Sequence, residues 1–170
     1  MKKLLALLCC LLPLGAAAQM PVILHSHNDY TRTAPFWEAY SQHCTSIEAD
    51  VFLQDGEILV AHNREDVQAG NSLRRMYIEP IVQTFRANGG RMWKGSPDRL
   101  ILMVDLKEAA ALPGVVSLVE AFPDVFCSPD GVQVVISGDE PEPHEFDNYP
   151  PASGSTASST GTTPRNNSPG

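Results

Sequence analysis

Leu100-Ile101-Leu102-Met103-Val104 is an unbroken apolar run that leads directly into Asp105-Leu106-Lys107. A stretch that apolar is buried on both faces, as a central strand of a parallel sheet is, whereas a strand with one wet face alternates. Shorter segments repeat the theme: Val22-Ile23-Leu24, which ends at His25, Ser46 to Leu53, and Val132 to Ile136, which closes at Ser137-Gly138. Helical patterns lie between them. Ala34 to Gln42 has Pro35 where a first turn tolerates it. Ser72 to Asn88 contains Pro80 and stops at Gly89-Gly90, and Pro113 to Phe122 stops before Pro123. Four buried strands alternating with helices predict an α/β protein with a parallel sheet. Glu57 to Ala61 is a further extended run, joined to the second strand through an Asp55-Gly56 turn and ending at His62.

The two ends of the chain read differently from this middle. Lys2 and Lys3, the apolar run Leu4 to Leu14 and Ala16-Ala17-Ala18 form the three parts of a secretory signal peptide over residues 1–18. The run is too short to cross a bilayer, so no transmembrane segment is expected. Export to a periplasmic or extracellular compartment follows. Cleavage removes Cys9 and Cys10, leaving Cys44 and Cys127 either to pair or to stay as two buried thiols. Removing Lys2 and Lys3 makes a chain of formal charge −8 more acidic still. An acidic chain lacks the basic surface that nucleic-acid binding rests on. Residues 19–150 form the candidate domain. Residues 151–170 are mostly Ser, Thr, Gly and Pro, cannot bury apolar surface, and are expected to be disordered.

The polar residues at the strand ends carry the chemistry. Glu48 and Asp50 stand at i and i+2 and share one face of their strand; Asp105 and Lys107 do the same on theirs. Such pairs are often plain ion pairs at a wet edge. Parallel strands, however, bring their C-terminal ends together, so Glu48, Asp50 and Asp105 converge. Carboxylates without a soft ligand suit a hard divalent cation, Mg²⁺ or Ca²⁺, better than zinc. Lys107 then supplies a fixed positive charge for an anionic substrate. His27 follows the first strand and His62 the extended run after the second, placing two imidazoles at the same rim. Imidazoles on either side of a phosphorus serve as base and acid near neutral pH.

Read in order, HSHNDY (His25 to Tyr30), SIEADV with its Asp-Gly turn, LVAHN and MVDLKE resemble the phosphatidylinositol-phospholipase-C-like phosphodiesterase superfamily. That group includes the glycerophosphodiester phosphodiesterases and the sphingomyelinase D enzymes of spiders; the nearest pattern is the exported branch with an HNDY start. The likeness covers about residues 22–141. It implies that His27 and His62 are catalytic, His27 matching the spacing to the glutamate better than His25, which becomes a bystander. It further implies that Glu48, Asp50 and Asp105 hold one divalent cation and that Lys107 lies beside the phosphate, with Asn28 supporting the phosphate or metal shell. The Asp-x-Lys form is closer to the sphingomyelinase-like members. The implied activity is metal-dependent hydrolysis of a glycerol- or lipid-derived phosphodiester.

The implied fold is a (β/α)₈ barrel, which usually takes about 250 residues. The chain, at 170 residues, shows about the first four strand–helix units, so a partial barrel with a disordered tail is expected. Two other readings remain. In one, His25 and His27 bind zinc, as in amidohydrolase-like or PHP-like hydrolases, although only His43, His62 and His144 are left to complete such a site. In the other, the chain is an inactive secreted fragment.

Overall fold

The computed structural model describes residues 23–139 together with Glu142 and His144. The signal-peptide and tail assignments, 1–18 and 151–170, lie outside the described residues. Five strands form one sheet: β1 (His25–Ser26), β2 (Ser46–Gln54), β3 (Glu57–Val60), β4 (Ile101–Leu106) and β5 (Gln133–Gly138). The order is β1-β2-β4-β5, with β3 paired only to β2. The β1–β2, β2–β4 and β4–β5 pairs are all parallel, so each parallel strand lies beside its predecessor in the chain. This is the α/β architecture with a parallel sheet that the apolar runs predict.

β3 is the exception and follows from its turn. Asp55 and Gly56 both adopt positive φ, 51° and 83°, the backbone that a tight two-residue hairpin demands. The hairpin is therefore antiparallel, with Val51 opposite Val60 and Gln54 opposite Glu57.

Register places the chemistry. Ile47 pairs with Leu102, Ala49 with Val104 and Val51 with Leu106. These are buried and form the core with Leu73, Tyr77, Ile78, Ile81, Phe85 and Val115. Those last residues come from a π-helical turn (Arg74–Ile78), with Leu73 just before it, running into α2 (Glu79–Ala87), and from α3 (Leu112–Glu120). The opposite face carries Glu48 beside Met103 and Asp50 beside Asp105, with Asp105 beside Ser137 on β5.

Two local expectations change. Ile23 and Leu24 are 62% and 48% exposed, so the first apolar run is not a buried strand. The pairing residues are His25 and Ser26, and the ladder to β2 opens where the Ser46 N–H donates to the Leu24 carbonyl. The first helix is only α1 (Trp37–Ser41), because Phe36 before it has φ 65° and ψ −51°. With the Trp37 N–H bonded to the Pro35 carbonyl at 2.8 Å, this is a strained γ-turn rather than a helical residue. The helix expected over Pro113 to Phe122 forms as α3 and stops before Pro123, as read; what the sequence did not show is that Pro123 then starts a short separate helix, α4 (Pro123–Phe126), since a first-turn position needs no N–H. Cys44 is half-buried and Cys127 exposed, and both are free thiols, so neither a disulfide nor a buried pair is present.

Candidate active site

The HNDY segment is held in place by a buried acid. Asp29 is fully buried and accepts from Ser26 Oγ at 2.7 Å, the Phe36 N–H at 2.6 Å and the Tyr77 hydroxyl at 3.1 Å. Burial, then the neighbouring Asp29 charge and hydrogen bond, hold the Tyr77 phenol far above its ordinary range, so it remains a donor. Asn28 adopts φ 48°. Left-handed backbone suits Asn better than most residues, and here it turns the chain from β1 toward the rim. His27 and Tyr30 are thereby fixed on either side of one anchored turn.

Asp50 is the hub of the cluster. It is 1% exposed. Its Oδ2 accepts from His62 Nδ1 at 2.7 Å, from the Tyr30 hydroxyl at 2.8 Å and from Lys107 Nζ at 3.1 Å. Lys107 also donates to Asp105 Oδ2 at 2.5 Å, and Ser137 Oγ donates to Asp105 Oδ1 at 3.0 Å. Burial works against the Lys107 charge, but its hydrogen bonds to Asp105 and Asp50 outweigh that, so its pKa lies above the ordinary lysine value and the ammonium persists. For Tyr30, burial and then the hydrogen bond to Asp50 raise the phenol well beyond its usual range. A protonated phenol facing a carboxylate is a donor only, not a base.

Glu48 anchors the other end. Its Oε2 lies 3.0 Å from His25 Nε2 and 3.7 Å from His27 Nε2. His25 Nδ1 is bonded to Ser46 Oγ at 2.8 Å. His25 is thus engaged through both ring nitrogens, and the expectation of a bystander does not hold: it orients Glu48. His27 and His62 have side chains 70% and 56% exposed, so both reach solvent from a buried acidic base.

All seven expected site residues lie along one rim, and Asp50, Asp105, Lys107 and His62 are linked directly. Asp50 Oδ1 and Asn28 Oδ1 are buried without a hydrogen-bond partner, and they are the only such side-chain atoms among the described residues. Both are acceptors, and a buried acceptor without a partner costs about 1–3 kcal/mol. A cation bound there would satisfy such oxygens. As arranged, no three His, Cys, Asp or Glu side chains among the described residues are grouped closely enough to hold an ion. The Lys107 ammonium lies between Asp50 and Asp105 instead.

Tyr30, Ser137 and Asp29 are site residues that sequence reasoning missed. Asp29 and Tyr30 belong to the HNDY motif itself and sit one and two positions past Asn28. Ser137 was legible only through register, because it lies opposite Asp105 at the end of the apolar run Val134-Val135-Ile136. His43 lies elsewhere, bonded to Asp98 and stacked on Trp93.

Residues 16–121 match the AIM6-like phosphodiesterase domain family. Curated relatives carry the name altered inheritance of mitochondria protein 6. The Eremothecium gossypii protein is 36% identical over 102 residues, covering 52% of this chain and 26% of the relative. An Arthroderma benhamiae homolog is 38% identical over 73 residues, covering 39% and 23% respectively. The Kluyveromyces lactis protein is 36% identical over 63 residues, covering 35% and 15%. The chain therefore spans about a quarter or less of these relatives' length. No solved structure matches. Among the described residues, no helix is long and apolar enough to cross a membrane.

Proposed function

The chain belongs to the AIM6-like phosphodiesterase domain family, and on that premise we propose that its rim cluster is the site of a metal-dependent phosphoric diester hydrolase. The finer assignment is to the phosphatidylinositol-phospholipase-C-like superfamily, HNDY branch, with residues 19–150 as a segment of its barrel. The sequential parallel order β1-β2-β4-β5 supports that reading. One observation carries the metal: the two unpartnered buried acceptors, Asp50 Oδ1 and Asn28 Oδ1, both fall on residues of the expected site. Glu48, Asp50 and Asp105 would hold a Mg²⁺ or Ca²⁺ ion. The amide oxygen of Asn28 fits the ion's shell better than the phosphate, since an anion wants a donor. When bound, the ion would supply Lewis-acid stabilisation of charge developing on the phosphoryl oxygens.

The protein's own residues account for the rest. With Nδ1 engaged by Asp50, His62 presents Nε2 outward, free to take a proton from an attacking hydroxyl or water. His27, beside Glu48 at the far side, returns a proton to the leaving oxygen. Lys107 keeps a positive charge at the phosphate side. The substrate class is a glycerol- or lipid-derived diester, and the compartment is periplasmic or extracellular.

Hydrolysis of bis(4-nitrophenyl) phosphate by the full chain tests this. Activity is expected with Mg²⁺ or Ca²⁺, to be abolished by EDTA and restored by either ion. His27→Ala and His62→Ala each should lose on the order of 10²-fold or more. EDTA-resistant turnover, or unchanged rates in both variants, would overturn the proposal. The proximity of both His25 and His27 to one Glu48 oxygen favours a second reading, a zinc site on the HxH pair. Zinc retained at one equivalent through purification, with loss on His25→Ala, would select it.

A further inference from the structure

A cavity of about 300 Å³ opens next to the cluster, lined by Tyr30, Pro35, Trp37, Arg75, Met76 and Pro80 among others. Tyr30 belongs to both places: it lines the cavity and donates through its hydroxyl to Asp50, which in turn holds His62. A group bound in the cavity is therefore one side chain from the proposed reacting centre. The lining is mixed: Pro35, Trp37, Met76 and Pro80 give it an apolar part, and Tyr30, Asn71 and Arg75 a polar part of similar extent. Trp37 is one of three large hydrophobic residues exposed among the described residues, at 49%. Phe36 and Tyr40 meet its indole edge-on, at 4.9 and 6.3 Å between centroids, which steadies the ring.

The one charged group in the lining is Arg75. Arg64, Arg86 and Arg91 each pair with an acid, Glu108, Asp124 and Asp130 respectively. Arg75 makes no such pair among the described residues, not even with Glu79 four positions on. In a chain of net charge −8, a guanidinium left open beside the apolar part of a cavity is a preference for negative charge.

We infer that this cavity is a subsite for the non-reacting arm of the substrate, and that it selects an arm with an apolar body and one anionic group. The inference rests on the phosphodiesterase reading for the identity of the ligand as a substrate arm. Trp37, Met76, Pro35 and Pro80 cover the apolar body, and Arg75 takes the anion through paired N–H donors. A cationic arm, such as a quaternary ammonium, gains the Trp37 face but meets Arg75 at close range, so it is disfavoured.

The test separates the subsite from the chemistry. The tryptophan fluorescence of the full chain is titrated with 4-phenylbutyrate and, separately, with 4-phenylbutylamine. Trp93 is buried, so Trp37→Phe identifies the reporting ring. Phenylbutyrate should give a saturable change that Trp37→Phe abolishes, with affinity falling about tenfold or more in Arg75→Ala. Phenylbutylamine should not saturate over the same range. Equal affinity for the two probes, or unaltered phenylbutyrate affinity in Arg75→Ala, would overturn the inference. Turnover of bis(4-nitrophenyl) phosphate is measured on the same preparation. Charge-selective binding without turnover would leave the subsite standing and sink the phosphodiesterase reading; turnover without charge selection would do the reverse.

Discussion

Asp29 sets how firmly the HNDY turn is held, and its removal gives the largest effect expected at the site that involves no catalytic group. The carboxylate is fully buried and takes three donors. In Asp29→Ala the Phe36 N–H, the Ser26 hydroxyl and the Tyr77 hydroxyl all lose their acceptor. Each unsatisfied buried donor costs about 1–3 kcal/mol, and the hydroxyls recover part of this by rotating. Phe36 adds to the loss. Its positive φ is a strained state of about 1–3 kcal/mol, and the bond from its N–H to Asp29 helps to pin it. The sum is about 3–5 kcal/mol. Asp29→Asn keeps the shape and one oxygen. That oxygen would serve Phe36 and Tyr77, while the new amide donates to Ser26 Oγ, so the cost falls to about 1–2 kcal/mol. Urea unfolding followed by far-UV circular dichroism measures both, with the midpoint converted through the slope. If the chain is unfolded outright in Asp29→Ala, the asparagine variant still ranks between it and the parent. An alanine variant within 1 kcal/mol of the parent, or an asparagine variant as damaging as alanine, would refute the reasoning.

Stability should also fall at high pH. The folded-state phenol pKa values of Tyr77 and Tyr30 are both raised, so their contribution is complete below the unfolded value of about 10 and is lost as pH rises beyond it. The slope is about 1.4 kcal/mol per pH unit for each phenol ionised only in the unfolded chain. Tyr77→Phe should cost about 0.5–1.5 kcal/mol at neutral pH yet flatten the alkaline slope; an unchanged slope in urea titrations above pH 10 would count against the assignment. Gly138→Ala should destabilise more than Gly56→Ala, although both glycines have φ near 80°. A Cβ on Gly138 would meet the Leu106 carbonyl at 2.3 Å and Asp105 Oδ1 at 2.8 Å, whereas Gly56 faces open space. The Gly56 change should cost about 1 kcal/mol and the Gly138 change clearly more, read as unfolding midpoints. Lys107→Met should leave the fold intact but lower turnover of bis(4-nitrophenyl) phosphate; retained turnover would show that the ammonium is only a structural partner of Asp50 and Asp105.

β4 and β5 were legible as apolar runs and β2 as a stretch that alternates apolar residues with acids, and periodicity alone then put Glu48 with Asp50 and Asp105 with Lys107 on the side away from the core. What sequence could not deliver was pairing between side chains distant in the chain. The ExD carboxylates look equivalent as letters, but Asp50 is nearly inaccessible and carries three donors, while Glu48 is steered by two imidazoles. The same blindness made His25 a bystander. Spacing ranks one histidine over the other, yet β1 lies parallel to β2 with His25 opposite Ser46, and that register is what delivers its ring to Ser46 and Glu48. The loop was hardest to read, because its order comes from an acid that faces inward. In HNDY the Asp looks like one more polar rim residue, whereas in the fold it is fully buried, and its three donors come from β1, the γ-turn and the π-helical turn. A motif residue that binds three separate elements ties its neighbours to the fold: His27 and Asn28 precede it and Tyr30 follows it, so the position of each at the rim depends on Asp29 staying buried.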